Sequence, residues 1–187
     1  GSIVAGSAKE FHSNVNEVYG FCMYFDKNDN KHYAYINGKD GNIEQWEISD
    51  TGQRELNATV VRTLKVNTQP EGIVADDENG YLYVGEELQG IWKFMAGADE
   101  HDEKTFVPMS GEDNPAIEFD VEGLCIYYGT DKKGYLIASS QGNYSYAIFE
   151  REGDNAYITS FSIGENIVDA VEETDGIAVA NTSLGNA

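Results

Sequence analysis

Apolar residues in this chain recur in short strand-length runs, each opened by a glycine and closed by a polar turn. The opening motif is an acidic or polar residue, a glycine, then an apolar run. It appears as Tyr19-Gly20-Phe21-Cys22-Met23, Glu71-Gly72-Ile73-Val74-Ala75, Glu122-Gly123-Leu124-Cys125-Ile126 and Asp175-Gly176-Ile177-Ala178-Val179. Its glycines lie 52, 51 and 53 positions apart. A turn follows each of the first three copies, at Asp26–Asn30, Asp76–Gly80 and Thr130–Gly134. Second apolar runs come next, at His32–Ile36, Tyr81–Val84 and Tyr135–Ala138, then polar turns at Asn37–Gly41, Gly85–Gly90 and Ser139–Gly142. Third runs are Ile43–Ile48, Ile91–Phe94 and Tyr146–Phe149, and fourth-strand candidates are Val60–Val66 and Tyr157–Ile163.

No stretch sustains a helical period of apolar residues. Four short antiparallel strands in a unit of about 50 residues describe a propeller blade. The expected fold is therefore an all-β propeller of about three to three and a half four-stranded blades, with repeats starting near 18, 70, 121 and 174. Residues 1–17 read as an N-terminal tail and 18–187 as a partial propeller domain. The stretches up to Glu17 and from Ala98 to Glu118 read as acidic loops. Such a chain should leave a blade face and strand edges exposed.

The repeat also sorts the polar residues. Inner strands of successive blades surround one channel, so equivalent positions form a ring. Tyr19, Glu71, Glu122 and Asp175 share the position before the glycine; Lys39, Glu87 and Gln141 share another, in the turn after the second strand. Asp120 falls on the same side as Glu122 by strand alternation. Glu71, Glu87, Asp120, Glu122 and Asp175 should therefore meet near one end of the channel. Like charges about 4 Å apart repel by about 1 kcal/mol even in water. Oxygen-only donors without His or Cys favour calcium over zinc or copper. The competing structural reading is that each acid-Gly pair only shapes a turn, glycine supplying a positive φ.

Charge agrees with a cation site. Twelve Lys+Arg against 33 Asp+Glu give a net charge of −21, which disfavours nucleic acid and anionic membrane. A soluble or salt-tolerant acidic surface would give the same balance. Twenty Gly and only three Pro fit a chain of tight turns, and twelve Tyr supply apolar bulk. Cys22 and Cys125 occupy the same strand position in the first and third repeats, too far apart for a disulfide, so both are expected free. No CxxC or Cys/His cluster suggests zinc. His12, His32 and His101 are scattered and read as structural or surface residues. Asp26–Asn30 resembles the start of an EF-hand loop but lacks its later Gly and Glu; a hairpin turn is the simpler reading. Trp46 and Trp92, on equivalent third strands, read as blade packing. Asn57, Asn143 and Asn181 begin N-x-S/T triplets, which by themselves carry no function here. Gly1-Ser2 reads as an expression scar, with any signal peptide already removed.

Seven blocks carry a family resemblance: Val18–Phe21, Gln69–Glu78, Gly80–Tyr83, Ile91–Phe94, Asp120–Leu124, Gly134–Asn143 and Thr174–Ile177. In this order they closely resemble the calcium-dependent β-propeller phytases of bacteria. The resemblance implies a share of a six-bladed propeller, calcium at one channel end, and secretion to an extracellular or periplasmic space. It implies metal ligands at Glu71, Glu87, Asp120, Glu122 and Asp175, with Tyr19, Lys39 and Gln141 contacting substrate. The expected catalytic set is Tyr19, Lys39, Glu122 and Gln141, acting with calcium-activated water on a phosphate monoester of phytate. The rest of the family's propeller would supply further cations and acidic ligands. A non-catalytic module that binds calcium-phytate or assists a complete phytase domain is the alternative. A glycoside hydrolase with paired carboxylates is a weaker rival, having no use for five acids and a lysine. Partners implied are phytate or calcium-phytate, and a homodimer or a complementary propeller half.

Overall fold

The structure is a computed structural model that describes residues 9–52, 55–164 and 170–182. Its first sheet contains β1 (Val18–Asp26), β2 (Lys31–Gly38), β3 (Asn42–Asp50) and β4 (Leu56–Lys65). The second contains β5 (Pro70–Asp76), β6 (Tyr81–Glu86), β7 (Gly90–Met95) and β8 (Lys104–Phe106). The third contains β9 (Val121–Tyr128), β10 (Gly134–Ser140), β11 (Ser145–Glu150) and β12 (Tyr157–Ser162), with a 3-10 turn at Gln141–Asn143. Each sheet is a four-stranded antiparallel meander in chain order. The first strands of successive sheets touch one another, β1 on β5 and β5 on β9, as inner strands of adjacent propeller blades must.

The blades pack through two cores. Tyr24, Tyr35, Ile43 and Leu64 of the first blade close on Ile73, Leu82, Val84 and Phe94 of the second. Tyr83 and Ile91 of the second close on Leu124, Ile126, Leu136 and Phe149 of the third. Burying apolar area at about 25 cal/mol per Å² drives this stacking. Phe21, which shares its repeat position with buried Ile73 and Leu124, is instead 60% exposed. No element among the described residues covers that face of β1.

Two expectations need correction. The stretch from Ala98 to Glu118 is not all loop, because Lys104–Phe106 forms β8, the fourth strand of the second blade. Three residues give too short an apolar run to register as a pattern. Conversely, Asp175–Val179 forms no strand among the described residues; a strand needs a ladder partner, and none of the described residues pairs with this segment. The segment lies beside the third blade, held by Ser139 Oγ donating to the Thr174 carbonyl at 2.8 Å and by Tyr146 hydroxyl against Thr174 Oγ1 at 2.8 Å.

Several local readings can be set beside the structure. Asp26–Asn30 is a hairpin turn, in which Asp26 Oδ1 accepts the Asn28 amide at 2.8 Å. At Asn79-Gly80 only the glycine takes a positive φ, +71°. Both cysteines are free, Cys125 being buried. Each tryptophan donates its ring N–H to a buried glutamate of its own blade, Trp46 to Glu44 at 3.1 Å and Trp92 to Glu86 at 2.5 Å. His32 stacks on Phe25 with ring centres 4.6 Å apart.

Candidate active site at the channel mouth

The repeated glycine answers to close packing rather than to turn formation. None of Gly20, Gly72 and Gly123 has a positive φ. A Cβ on Gly20 would meet the Glu71 carbonyl, one on Gly72 the Glu122 carbonyl, and one on Gly123 the Asp175 carbonyl at 2.5 Å. Each glycine thus lets the next repeat's acidic residue approach backbone to backbone. The turn-only reading of the acid-Gly pair is overturned. A ladder slip accompanies each contact, between Val18 and Gly20, Pro70 and Ile73, and Ala138 and Ser140. Such irregularities re-aim side chains at strand ends.

The second turn of each blade is fixed by a repeated backbone bond. Lys39 donates its amide to the Asn16 carbonyl at 3.0 Å, Glu87 to Gln69 at 3.1 Å, and Gln141 to Asp120 at 2.9 Å. Lys39, Glu87 and Gln141 are thereby held beside Tyr19, Glu71 and Glu122.

All eight singled-out residues gather at this end. Lys39 Nζ stands 4.5 Å from the Tyr19 ring centre and 3.7 Å from Glu17. The Glu71 carboxylate beside the Tyr19 phenol raises its pKa, helped by burial and by Glu87 and Glu122; the phenol stays a donor. Glu71 lies beside Glu87, and Gln69 Nε2 donates to Glu87 Oε1. Glu122 is similarly paired with Asp175, with Asp120 nearby. Gln141 Nε2 donates to Asp175 Oδ1 at 3.2 Å. An open cavity of about 550 Å³ lies elsewhere, between the outer strands of the second and third blades around Lys93; the channel mouth itself holds one of about 290 Å³, lined by Tyr19, Glu71, Gly123 and Asp175.

Among the described residues no three acidic, His or Cys side chains converge at metal-binding distance; the carboxylates stand in pairs. Burial, then Glu87 and Asp175, pushes Glu71 up to about 7. Burial, then Glu71 and Asp175, pushes Glu122 up to about 8. Glu122 is only 6% exposed, and its Oε2 is buried with no hydrogen-bond partner. Buried polar atoms are rarely left so.

These shifts have a sign. Both carboxyls bind protons more tightly folded than unfolded, so stability falls as pH rises. The loss begins near the ordinary carboxylate value of about 4.3 and is complete once pH passes about 8. In chelator the melting temperature should therefore drop between pH 5 and pH 8. The drop should be smaller in a Glu71→Gln, Glu122→Gln double variant; equal slopes in the two proteins would contradict it.

Sequence reasoning passed over three residues here. Glu17 read as loop, Asn37 as the start of a turn, and Gln69 as part of a block resembling the family, with no role of its own. Asn37, two residues before Lys39, and Gln69, two before Glu71, had positional signals.

Three blades of a β-propeller with paired carboxylates, a lysine and a tyrosine at one channel end define the class: a propeller with an anion-repelling, cation-attracting channel mouth. The phytase family model matches residues 2–187, and the chain belongs to the phytase family. It is 46% identical over 175 residues to a 3-phytase of Bacillus subtilis (strain 168), covering 92% of this chain and 45% of that protein. The chain thus spans about half the length of that curated relative.

Proposed function

We propose that this chain carries part of a site for calcium-dependent hydrolysis of phosphate monoesters of phytate. The observation that carries the reading is the orphaned, buried Oε2 of Glu122 within a group of carboxylates. An all-oxygen, acidic donor set fits a hard cation. Glu71, Glu87, Asp120, Glu122 and Asp175 would hold it. When bound, calcium supplies positive charge for phosphate oxygens and makes a nearby water easier to deprotonate.

The chain's own residues do the rest. Without a cation, a net charge of −21 opposes a polyanionic substrate. Lys39 presents its ammonium beside Tyr19 to offset phosphate charge. Tyr19, held protonated by Glu71, donates to a phosphate oxygen. Gln141, anchored on Asp175, has a second amide N–H to offer. None of these steps needs a covalent phospho-enzyme.

Phosphate release from phytate and thermal melts, each with calcium and with chelator, test the reading. A ligand that binds only the folded state at a hundredfold excess over its dissociation constant adds about 2.7 kcal/mol, so the two melts should separate clearly. Superimposable melts would remove calcium from the account. The second reading is a non-catalytic module that binds calcium-phytate or assists a complete phytase domain. It expects the calcium-dependent melt and phytate binding, with no phosphate released.

A further inference from the structure

Asn37 is fully buried in β2, yet it lies against the channel mouth. Its side chain is used at both ends. Oδ1 accepts the Gly20 amide at 2.6 Å, and Nδ2 donates to the Glu71 carbonyl at 3.1 Å. Gly20 follows Tyr19 in the first blade; Glu71 belongs to the second. One amide group therefore ties the backbone of the proposed substrate-contacting tyrosine to that of a proposed metal ligand, across the blade boundary and beside the ladder slip of β1.

The same repeat position does related work in the other blades. Counting back two residues from Lys39, Glu87 and Gln141 gives Asn37, Gly85 and Ser139. Ser139 Oγ donates to the Thr174 carbonyl at 2.8 Å, the peptide group just before Asp175. Gly85 has no side chain, and a Cβ there would stand 3.2 Å from the Val121 carbonyl and 3.4 Å from that of Glu122. At this position each blade touches the backbone flanking the next blade's channel acid, through a side chain twice and by bare backbone once.

We infer that Asn37 is a positioning residue for the channel site, setting the stagger of Tyr19 against Glu71, and that Ser139 does the same for Asp175. Asn37 touches neither metal nor substrate; it acts through two backbone groups. Gly20 N–H and the Glu71 carbonyl sit where the ladder slips, so the Asn37 amide supplies what the sheet there does not. Outer partners of this kind typically change metal affinity by roughly 10- to 100-fold when removed. The inference rests on the calcium reading for its functional consequence but not for its geometry.

The two are separated by measuring the full chain twice. In chelator, amide hydrogen exchange at Gly20 is compared between wild type, Asn37→Ala and Leu82→Val, the last a cavity variant of the core between the first two blades, paired with Ala75 at the end of β6 away from Glu87. Asn37→Ala should speed Gly20 exchange at least tenfold beyond Leu82→Val at matched stability. With calcium ions alone, calorimetric titration should then show roughly tenfold weaker binding for Asn37→Ala and wild-type affinity for Leu82→Val. Should Asn37→Ala not fold, Asn37→Ser, the residue the third repeat uses, carries the same comparison with smaller changes in both readouts. Gly20 exchange no faster than in the control overturns the inference, whatever calcium does. Protected calcium affinity alongside fast Gly20 exchange also overturns it, by reducing Asn37 to a packing residue. A wild type that binds no calcium removes the calcium reading, and the exchange comparison still decides the geometry.

Discussion

Arg151→Ala is expected to cost about 3–5 kcal/mol of folding stability, the usual consequence of stranding one partner of a buried ion pair. Arg151 and Asp76 are both completely buried. Arg151 Nε donates to Asp76 Oδ2 at 2.7 Å and Nη2 to Asp76 Oδ1 at 2.5 Å. Nη1 donates to the Lys133 carbonyl at 3.1 Å and lies 2.9 Å from Glu78 Oε2. The guanidinium also sits 4.2 Å from the Tyr128 ring centre. Asp76 in turn accepts the amides of Glu78 and Asn79, each at 3.0 Å, so this one pair locks the second blade's hairpin to the third blade. Removing the guanidinium leaves the Asp76 carboxylate in a dry interface with no counter-ion. For a chain of this size that corresponds to a melting temperature lower by roughly 6–20 °C. Arg151→Lys should recover little, because an ammonium cannot span both carboxylate oxygens. A double-mutant cycle with Asp76→Ala should return a coupling well above 1 kcal/mol. Denaturant midpoints that barely move in Arg151→Ala would show that the pair contributes nothing net.

The second large effect concerns Glu122, and its two halves have opposite signs. In chelator at about pH 9, above the value to which Glu122 is raised, Glu122→Gln should exceed wild-type stability, since it removes a buried carboxylate that Glu71 and Asp175 both oppose; at separations near 4 Å each such repulsion is worth about 1 kcal/mol or more. With calcium present the order should reverse. The variant keeps the shape but loses the charge of the buried, unpartnered Oε2, so the calcium-induced rise in melting temperature should shrink. Phosphate release from phytate should fall at least tenfold, or phytate affinity by a similar factor if the chain releases none. A variant less stable than wild type in chelator, with an unchanged calcium shift, would mean that Glu122 serves only to pack β9.

Much of this was legible in the residues alone. Glycines at 20, 72, 123 and 176 announce a repeated unit, and period-2 apolar runs between turns make that unit a four-stranded blade. Residues at equal phase in a radial repeat must share an axis, so Tyr19, Glu71, Glu122 and Asp175 follow as channel neighbours from spacing, with Lys39, Glu87 and Gln141 beside them. No contact had to be seen for that, because symmetry does the work of coordinates.

What symmetry cannot supply is whatever differs between repeats. Arg151 lies in a polar stretch after β11, and nothing in its neighbours marks it as the partner of Asp76, 75 positions away. That pairing depends on how far the third blade's last hairpin leans onto the second. Three-residue β8 is a strand only because β7 offers it a ladder, whereas Asp175–Val179 has the apolar pattern of a strand and lacks a ladder among the described residues. The four positions before the repeated glycines are equivalent in sequence but not in environment: Tyr19 and Asp175 are exposed, and Glu122 is buried. Depth depends on what the neighbouring blades cover, and so do the raised pKa of Glu122 and its orphaned oxygen. The glycines make the same point. Sequence located them, but the reason for them, a carbonyl of the next blade in the space a Cβ would fill, exists only once two blades are packed together.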